Sequence, residues 1–176
     1  MKNILIIFSF LFIGSGMYAQ HSDSSRVKRP ANSVYMNLLA DASLISINYE
    51  RLFPINTYIF FSASIGVGYN EEFKICIFGP CAPARTYRTI PHRITFNVGK
   101  RKNFFEIGMG GTSFKSGDYR DYVLYPIIGY RRQPLVTQKF NFRVYGQFPF
   151  FKSDNWESDN PNILFIPLGL SFGLCF

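Results

Sequence analysis

Residues 168–176 read LGLSFGLCF, with a large apolar side chain at every second position and a small residue between each pair. The large side chains are Leu168, Leu170, Phe172, Leu174 and Phe176. The small residues are Gly169, Ser171, Gly173 and Cys175. A period of two places these sets on opposite faces of a β-strand. The stretch therefore predicts a strand with one fully apolar face and one crowded, small-residue face.

Seven further stretches share this alternation and are rich in Tyr, Phe, Ile and Val, with turn-forming clusters between them. None of them carries the 3.6-residue apolar stripe of a helix. Their limits are residues 33–40, 43–53, 58–69, 89–99, 103–114, 122–133 and 139–150, and the terminal strand is expected over 163–176. The sequence thus predicts an all-β, eight-stranded antiparallel up-and-down barrel.

The connections between these strands alternate between short and long from the third one onward. This is typical of a meander with tight turns at one end and longer loops at the other. We expect both termini and the turns PINT (54–57), KRKN (100–103) and QPLVTQ (133–138) to face the periplasm. The exterior loops are then 70–88, 115–121 and 151–162. The first connection, Asp41 and Ala42, is short where a longer loop is due.

The amino terminus has the pattern of a secretory signal: Lys2, an apolar run over residues 4–13, and small or weakly polar residues before Gln20. The apolar run is shorter than the roughly 20 residues that a membrane-spanning helix needs. We therefore expect residues 1–19 to be a signal peptide and 20–32 a flexible periplasmic leader. Residues 33–176 form the barrel.

The inner face of the barrel can be assigned from side-chain size. An eight-stranded barrel has a lumen just wide enough for side chains, which favours small or paired polar residues inside. In the third strand Ser62, Ser64, Gly66 and Gly68 alternate with Ala63, Ile65, Val67 and Tyr69. Apolar residues outside predict a transmembrane barrel, whereas the reverse arrangement is that of a soluble, lipocalin-like binding barrel.

Aromatic residues fall near the ends of the strands, as in the interfacial girdles of membrane barrels. Those expected in the girdles are Tyr49, Phe53, Tyr58, Tyr69, Phe104, Tyr122 and Phe150.

Four segments resemble small outer-membrane β-barrel proteins of the Bacteroidetes type. They are SLISINYERLF (43–53), FFEIGMGG (104–111), PIIGYRRQP (126–134) and the terminal LGLSFGLCF. The resemblance covers roughly residues 33–176 and implies the outer membrane of a Gram-negative bacterium as the location. It also implies that the final residues, with Phe172, Leu174 and Phe176, act as a signal for the barrel-assembly machinery. It implies no reaction.

Alternation places five charged residues inside the barrel, where a charge is costly unless it is paired. We expect them to form one network that plugs the pore, with Arg131 and Arg143 as the main partners of the glutamates. The predicted network is Glu50, Arg93, Glu106, Arg131 and Arg143.

The cysteines and histidines limit the chemistry. Cys76 and Cys81, with four residues between them in the longest loop, are expected to form a disulfide in an oxidising compartment.

The alternative to a non-enzymatic barrel is a lipid-modifying enzyme, an acyl hydrolase or deacylase, which would use His92 with Ser113 and Asp118. No metal-ligand spacing, phosphate-binding glycine loop or nucleic-acid motif is present, so we expect no cofactor and no nucleic-acid partner, despite a net charge of +8.

The sequence therefore favours a non-enzymatic outer-membrane barrel with a filled lumen. Its expected partners are outer-membrane lipids and lipopolysaccharide, and an extracellular ligand or protein bound through the exterior loops. A filled lumen disfavours a transport function.

Overall fold

The computed structural model describes residues 29–72, 84–135, 139–152 and 164–176, although not the side chains of residues 151 and 152. These residues form strands joined by turns and irregular segments, without a helix. The strands are β1 (Asn32–Ala40), β2 (Ser43–Pro54), β3 (Ile59–Glu71), β4 (Thr86–Lys100), β5 (Asn103–Ser116), β6 (Tyr119–Arg132), β7 (Phe140–Gln147), β8 (Phe151–Lys152) and β9 (Leu168–Cys175). In the described ranges there is no helix long and apolar enough to span a bilayer.

The strands form one closed antiparallel barrel, in which each long strand pairs with its neighbours in sequence and β9 pairs with β1. The two-residue strand β8 pairs with β6 beyond the end of β7. Strands β7 and β8 therefore share one position in the wall, and the barrel has eight strands. The predicted all-β, eight-stranded antiparallel fold is confirmed.

The up-and-down order divides the barrel into two ends. The turn end carries the β2–β3 and β4–β5 turns and the β6–β7 connection. The start of β1 and the end of β9 lie at the same end. There Asn32 and Phe176 exchange backbone hydrogen bonds of 3.1 and 2.9 Å. The loop end carries the β1–β2, β3–β4 and β5–β6 connections and the segment that precedes β9.

Polar and charged side chains point into the middle of the barrel, and large apolar side chains cover its outer face. Further apolar side chains are buried in the two ends of the lumen. In β3, Ser62 is 2% exposed, whereas the outward residues Ile65 and Val67 are 58% and 68% exposed. The terminal stretch follows the same rule, with Leu174 outward and Cys175 buried. A Cβ on Gly173 would lie 2.4 Å from the Tyr35 Cβ, so the crowded lumen requires glycine at that position.

The last two predicted strands are shorter in the structure. Strand β7 ends at Gln147 rather than at residue 150, because Pro149 has no N–H with which to continue the ladder. Strand β9 begins at Leu168, directly after Pro167, rather than at residue 163. Leu164 and Ile166 instead accept hydrogen bonds from Asn70 and Gln147, at 3.0 and 2.9 Å.

Three further expectations need correction. The expected exterior loop 115–121 is a two-residue turn, because β5 continues to Ser116 and β6 begins at Tyr119. Phe104 is not a girdle residue: it is 1% exposed and packs with Phe60 inside the lumen. The leader is not free up to residue 32, because β1 already begins at Asn32 and Arg29 is bound to the turns. Residues 20–28 lie outside the described ranges.

Candidate functional site

A cluster of charged side chains fills the turn half of the lumen, with the Glu50 carboxylate at its centre. Arg131 donates two hydrogen bonds to Glu50, of 2.9 Å to Oε1 and 2.7 Å to Oε2. Arg143 Nη2 also donates to Oε2, and the Ser33 hydroxyl donates to the same oxygen at 2.9 Å. Glu50 and both arginines are at most 1% exposed. Each buried charge is therefore stabilised by opposite charge and by hydrogen bonds.

Glu106 lies beside this cluster but is held less tightly. Its Oε1 is 3.8 Å from Arg143 Nη1, and neither carboxylate oxygen has a hydrogen-bond donor among the described protein groups. Its neighbour across the sheet, Asn97, also has an unpaired side-chain oxygen. Buried polar groups of this kind are normally bridged by ordered water. We therefore expect hydration in this part of the lumen.

A second ion pair joins Arg93 to Asp41, with 3.6 Å between Nη1 and Oδ1. Arg93 Nε also donates to the Tyr35 hydroxyl at 3.0 Å, and its guanidinium lies 4.9 Å from the centre of the Tyr35 ring. The Arg143 guanidinium lies 4.5 Å from the same ring. Tyr35 thus connects the Arg93 pair with the Glu50 cluster.

Asp41 reaches this position because the β1–β2 turn is packed inside the loop end of the barrel. Asp41 and Ala42 are the two residues of a tight hairpin turn, with φ of 56° and 50°, and both are buried. Positive φ at both central residues is the geometry of hairpin turns that match strand twist. Gln147 accepts a 3.0 Å hydrogen bond from Asp41 N, and Thr112 donates one of 2.7 Å to Asp41 O.

Apolar clusters lie on both sides of the charged region along the barrel axis. At the turn end Leu52, Phe60 and Phe104 pack together. The Arg29 guanidinium lies 4.8 Å from the Phe104 ring and donates to the Thr57 and Arg101 carbonyls at 3.0 and 2.8 Å. The cluster at the loop end is Ala40, Ala42, Tyr87, Phe114, Val123, Tyr125, Ile127 and Tyr145, with Tyr119 and Phe165 against it. Buried side chains therefore fill both halves of the lumen.

The structure brings four of the five predicted network residues into one cluster and places the fifth elsewhere. Arg131 and Arg143 both bind Glu50, and Glu106 lies next to Arg143. Arg93 instead pairs with Asp41, a residue that alternation along the strands places only in the first turn. The sequence predicts three inward arginines and only two inward glutamates. This excess of positive charge is the signal that could have indicated a third buried acidic residue.

His92 lies on the outward face of β4, on the exposed side of the wall. Its Nε2 is 2.9 Å from the Tyr122 hydroxyl, and the two rings stack with 5.6 Å between centroids. Gly111 makes room for this contact, because a Cβ there would lie 1.8 Å from the tyrosine oxygen. Within the described ranges His92 contacts Tyr122 and the Ile90 carbonyl, and no hydrogen bond joins it to Ser113 or Asp118.

Other predicted features have the following positions. Cys175 is a buried free thiol that accepts a hydrogen bond of 3.3 Å from Gln133 Nε2. Cys76 and Cys81 lie outside the described residues, so their disulfide stays a prediction. Among the residues that the structure describes, no group of His, Cys, Asp and Glu side chains could hold a metal ion. The outward residues Leu174 and Phe176 are 59% and 63% exposed, and Phe172 is half-buried on the same face.

No protein-family model matches the chain, and no curated protein or solved structure is significantly similar to it. The features of this chain that bear on its function are those of the barrel itself, a filled lumen with a charged middle and an apolar exterior.

Proposed function

We propose that this protein is a non-enzymatic outer-membrane β-barrel that spans the bilayer and contacts the exterior through its loops. The observation that carries this proposal is the inverted distribution of side chains. The middle of the lumen holds paired arginines and carboxylates between two buried apolar clusters, and the exterior carries exposed apolar side chains on all eight strands. A bilayer stabilises that arrangement, and water does not.

The extent of the apolar exterior supports a lipid-facing role. Ile47, Val67, Ile94 and Leu168 lie on four different strands, and each is at least 59% exposed. Soluble monomeric proteins rarely expose contiguous apolar patches larger than a few hundred Å². A soluble, lipocalin-like barrel would also need an apolar lumen for its ligand, whereas this lumen contains three buried arginines.

The residues at the two edges of the apolar surface also fit a bilayer. Tyr58 and Phe140 are exposed near the turn end, and Phe148 and Phe150 are exposed near the loop end. Amphipathic and aromatic rings at these levels suit the two lipid–water interfaces. The apolar run over residues 4–13 and the resemblance to Bacteroidetes-type barrels support export to the outer membrane.

The filled lumen leaves the loop end as the functional surface. The β3–β4 connection, the β5–β6 turn at Gly117 and Asp118, and residues 151–162 would face the exterior. They would bind a ligand or partner protein or serve in adhesion. Lipopolysaccharide and other outer-membrane lipids would surround the wall, and the barrel-assembly machinery would insert it. The role is therefore structural, adhesive or ligand-binding.

Membrane fractionation followed by a heat-modifiability gel tests this proposal. We expect the full chain in the outer-membrane fraction, soluble only in detergent, with different gel mobility before and after boiling. Release of a folded monomer into aqueous buffer without detergent would contradict the proposal.

The orientation can be tested separately in intact cells. We expect external protease to cut within residues 151–162 and to spare the Lys100–Asn103 turn. Cutting at that turn with 151–162 intact would reverse the assigned orientation.

A further inference from the structure

The turn end of the barrel is strongly basic. Within the described ranges its exposed or half-buried charged side chains are all Arg or Lys, whereas the exposed acidic residues lie at the loop end. The basic residues are Arg29, Arg51, Lys100, Arg101, Lys102, Arg132 and Lys139. A surface with one sign of charge attracts ligands of the opposite sign.

Part of this basic surface forms a concave site. A cavity of about 730 Å³ lies at the turn end and is lined by Arg101, Lys102, Asn103, Arg132 and Leu135. The β4–β5 turn and residues 132–135 line it, and the Gln133 N–H joins these two segments by donating to the Lys102 carbonyl at 2.8 Å. Three cationic side chains therefore surround one space that is large enough for a lipid headgroup.

The backbone of this site is fixed by contacts outside the cavity. Arg101 has a φ of 58°, which makes the β4–β5 turn tight, and its carbonyl accepts the 2.8 Å hydrogen bond from Arg29. The Tyr130 hydroxyl donates to Asn103 Oδ1 at 2.8 Å. A site held in place before binding loses less conformational entropy when a ligand arrives.

An apolar surface begins directly beside the cations. Phe105 and Tyr130 are paired across β5 and β6, and they are 52% and 43% exposed. This pair lies on the same face as the Asn103–Arg132 pair, two residues further along each strand. Ile107 and Ile128 continue this surface toward the middle of the wall. A ligand that fits has an anionic group for the cavity and hydrocarbon chains for the wall.

We propose that this cavity binds the phosphate of an anionic phospholipid, with the acyl chains lying along Phe105 and Tyr130. The inference rests on the proposed membrane-spanning function and names a specific lipid contact within it. Arg132 and Arg101 supply planar donors suited to phosphate oxygens, and Lys102 adds a compact charge. Leu135 adds an apolar side chain to the lining of the site.

The experiment is native mass spectrometry of the folded full-length barrel in neutral detergent, titrated with phosphatidylglycerol, phosphatidylcholine or inorganic phosphate. The site variant is Lys102→Gln with Arg132→Gln. The matched control, Arg88→Gln with Arg120→Gln, removes the same charge at the loop end. We expect tighter binding of phosphatidylglycerol than of phosphatidylcholine. We also expect about 25-fold weaker phosphatidylglycerol binding in the site variant, since each basic residue at a membrane surface contributes about fivefold, and little change in the control.

Equal losses in both variants, or no preference for phosphatidylglycerol by a heat-modifiable barrel, would overturn the lipid site and leave the proposed function standing. Displacement of phosphatidylglycerol by millimolar inorganic phosphate would show that the acyl chains add nothing and would overturn the lipid assignment. A chain that is soluble and monomeric without detergent would overturn the proposed function itself.

Discussion

At the scale of single residues, Glu50 is the shared hydrogen-bond acceptor of the charged cluster in the lumen. It accepts hydrogen bonds from two arginines and a serine, whereas Glu106 has only a 3.8 Å contact to Arg143. Both glutamates occupy inward positions, as alternation along the strand requires. Their energetic roles differ, because the stagger of the strands around the barrel decides which side chains meet.

Replacing Glu50 should therefore destabilise the barrel strongly. Glu50→Ala leaves Arg131 and Arg143 without their shared carboxylate, and removing one partner of a buried pair costs about 3–5 kcal/mol in the free energy of unfolding. Denaturant unfolding of the barrel in lipid vesicles measures this loss. Asp118→Ala, in the exposed β5–β6 turn, is the control and should change stability by less than about 0.5 kcal/mol. Similar small effects from both substitutions would contradict the role given to Glu50.

At the scale of the elements, the inward packing of the β1–β2 turn is the feature that the sequence did not reveal, although the two strands and their short connection were predicted. The two-residue connection of this hairpin contains no glycine, yet Asp41 and Ala42 both have positive φ, and Leu39 before them has a φ of 56°. The positive φ of Leu39 interrupts the alternation of β1, so that the Leu39 side chain points outward and Ala40 points into the lumen. Long-range contacts to Arg93 and Thr112 fix this geometry, and local sequence does not encode such contacts.

The Asp41 carboxylate is expected to anchor this hairpin. Asn also tolerates positive φ, so Asp41→Asn is compatible with the turn and removes the charge that faces Arg93. It also replaces one of the two acceptor oxygens, which face Asn37 and Tyr145, with an amide donor. We expect a destabilisation of about 3 kcal/mol. The double variant Asp41→Asn with Arg93→Gln should cost less than the sum of the single changes, because the two groups interact. Strict additivity in vesicle unfolding experiments would show that the pair does not couple.

The strands themselves could be predicted because alternation is local. Inward and outward faces follow from a period of two, which correctly placed Ser62, Glu106 and Arg143 inside. The ends of β7 and β9 could not be predicted by alternation, since Pro149 and Pro167 interrupt the ladder within apolar stretches. The position of Phe104 near a strand end favours a girdle, and this expectation is wrong. Alternation along β5 places Phe104 on the same inward face as Glu106.

At the scale of the whole molecule, the barrel is filled along its axis by an apolar cluster, a charged region and a second apolar cluster. We therefore expect the purified, heat-modifiable barrel to show no stable single-channel conductance in planar bilayers. Reproducible conductance steps from that preparation, absent from a boiled sample, would contradict the filled lumen.

Contact between the apolar exterior and lipid can be tested with a single tryptophan on the wall. Trp156 is the only tryptophan of the chain, so Trp156→Phe provides a background for Val67→Trp on the outward face of β3 and for Asp118→Trp in the β5–β6 turn as control. In vesicles of lipid with brominated acyl chains, we expect strong quenching and blue-shifted emission at position 67 and neither effect at position 118. Solvent-like, unquenched emission from Val67→Trp in a folded barrel would contradict the account.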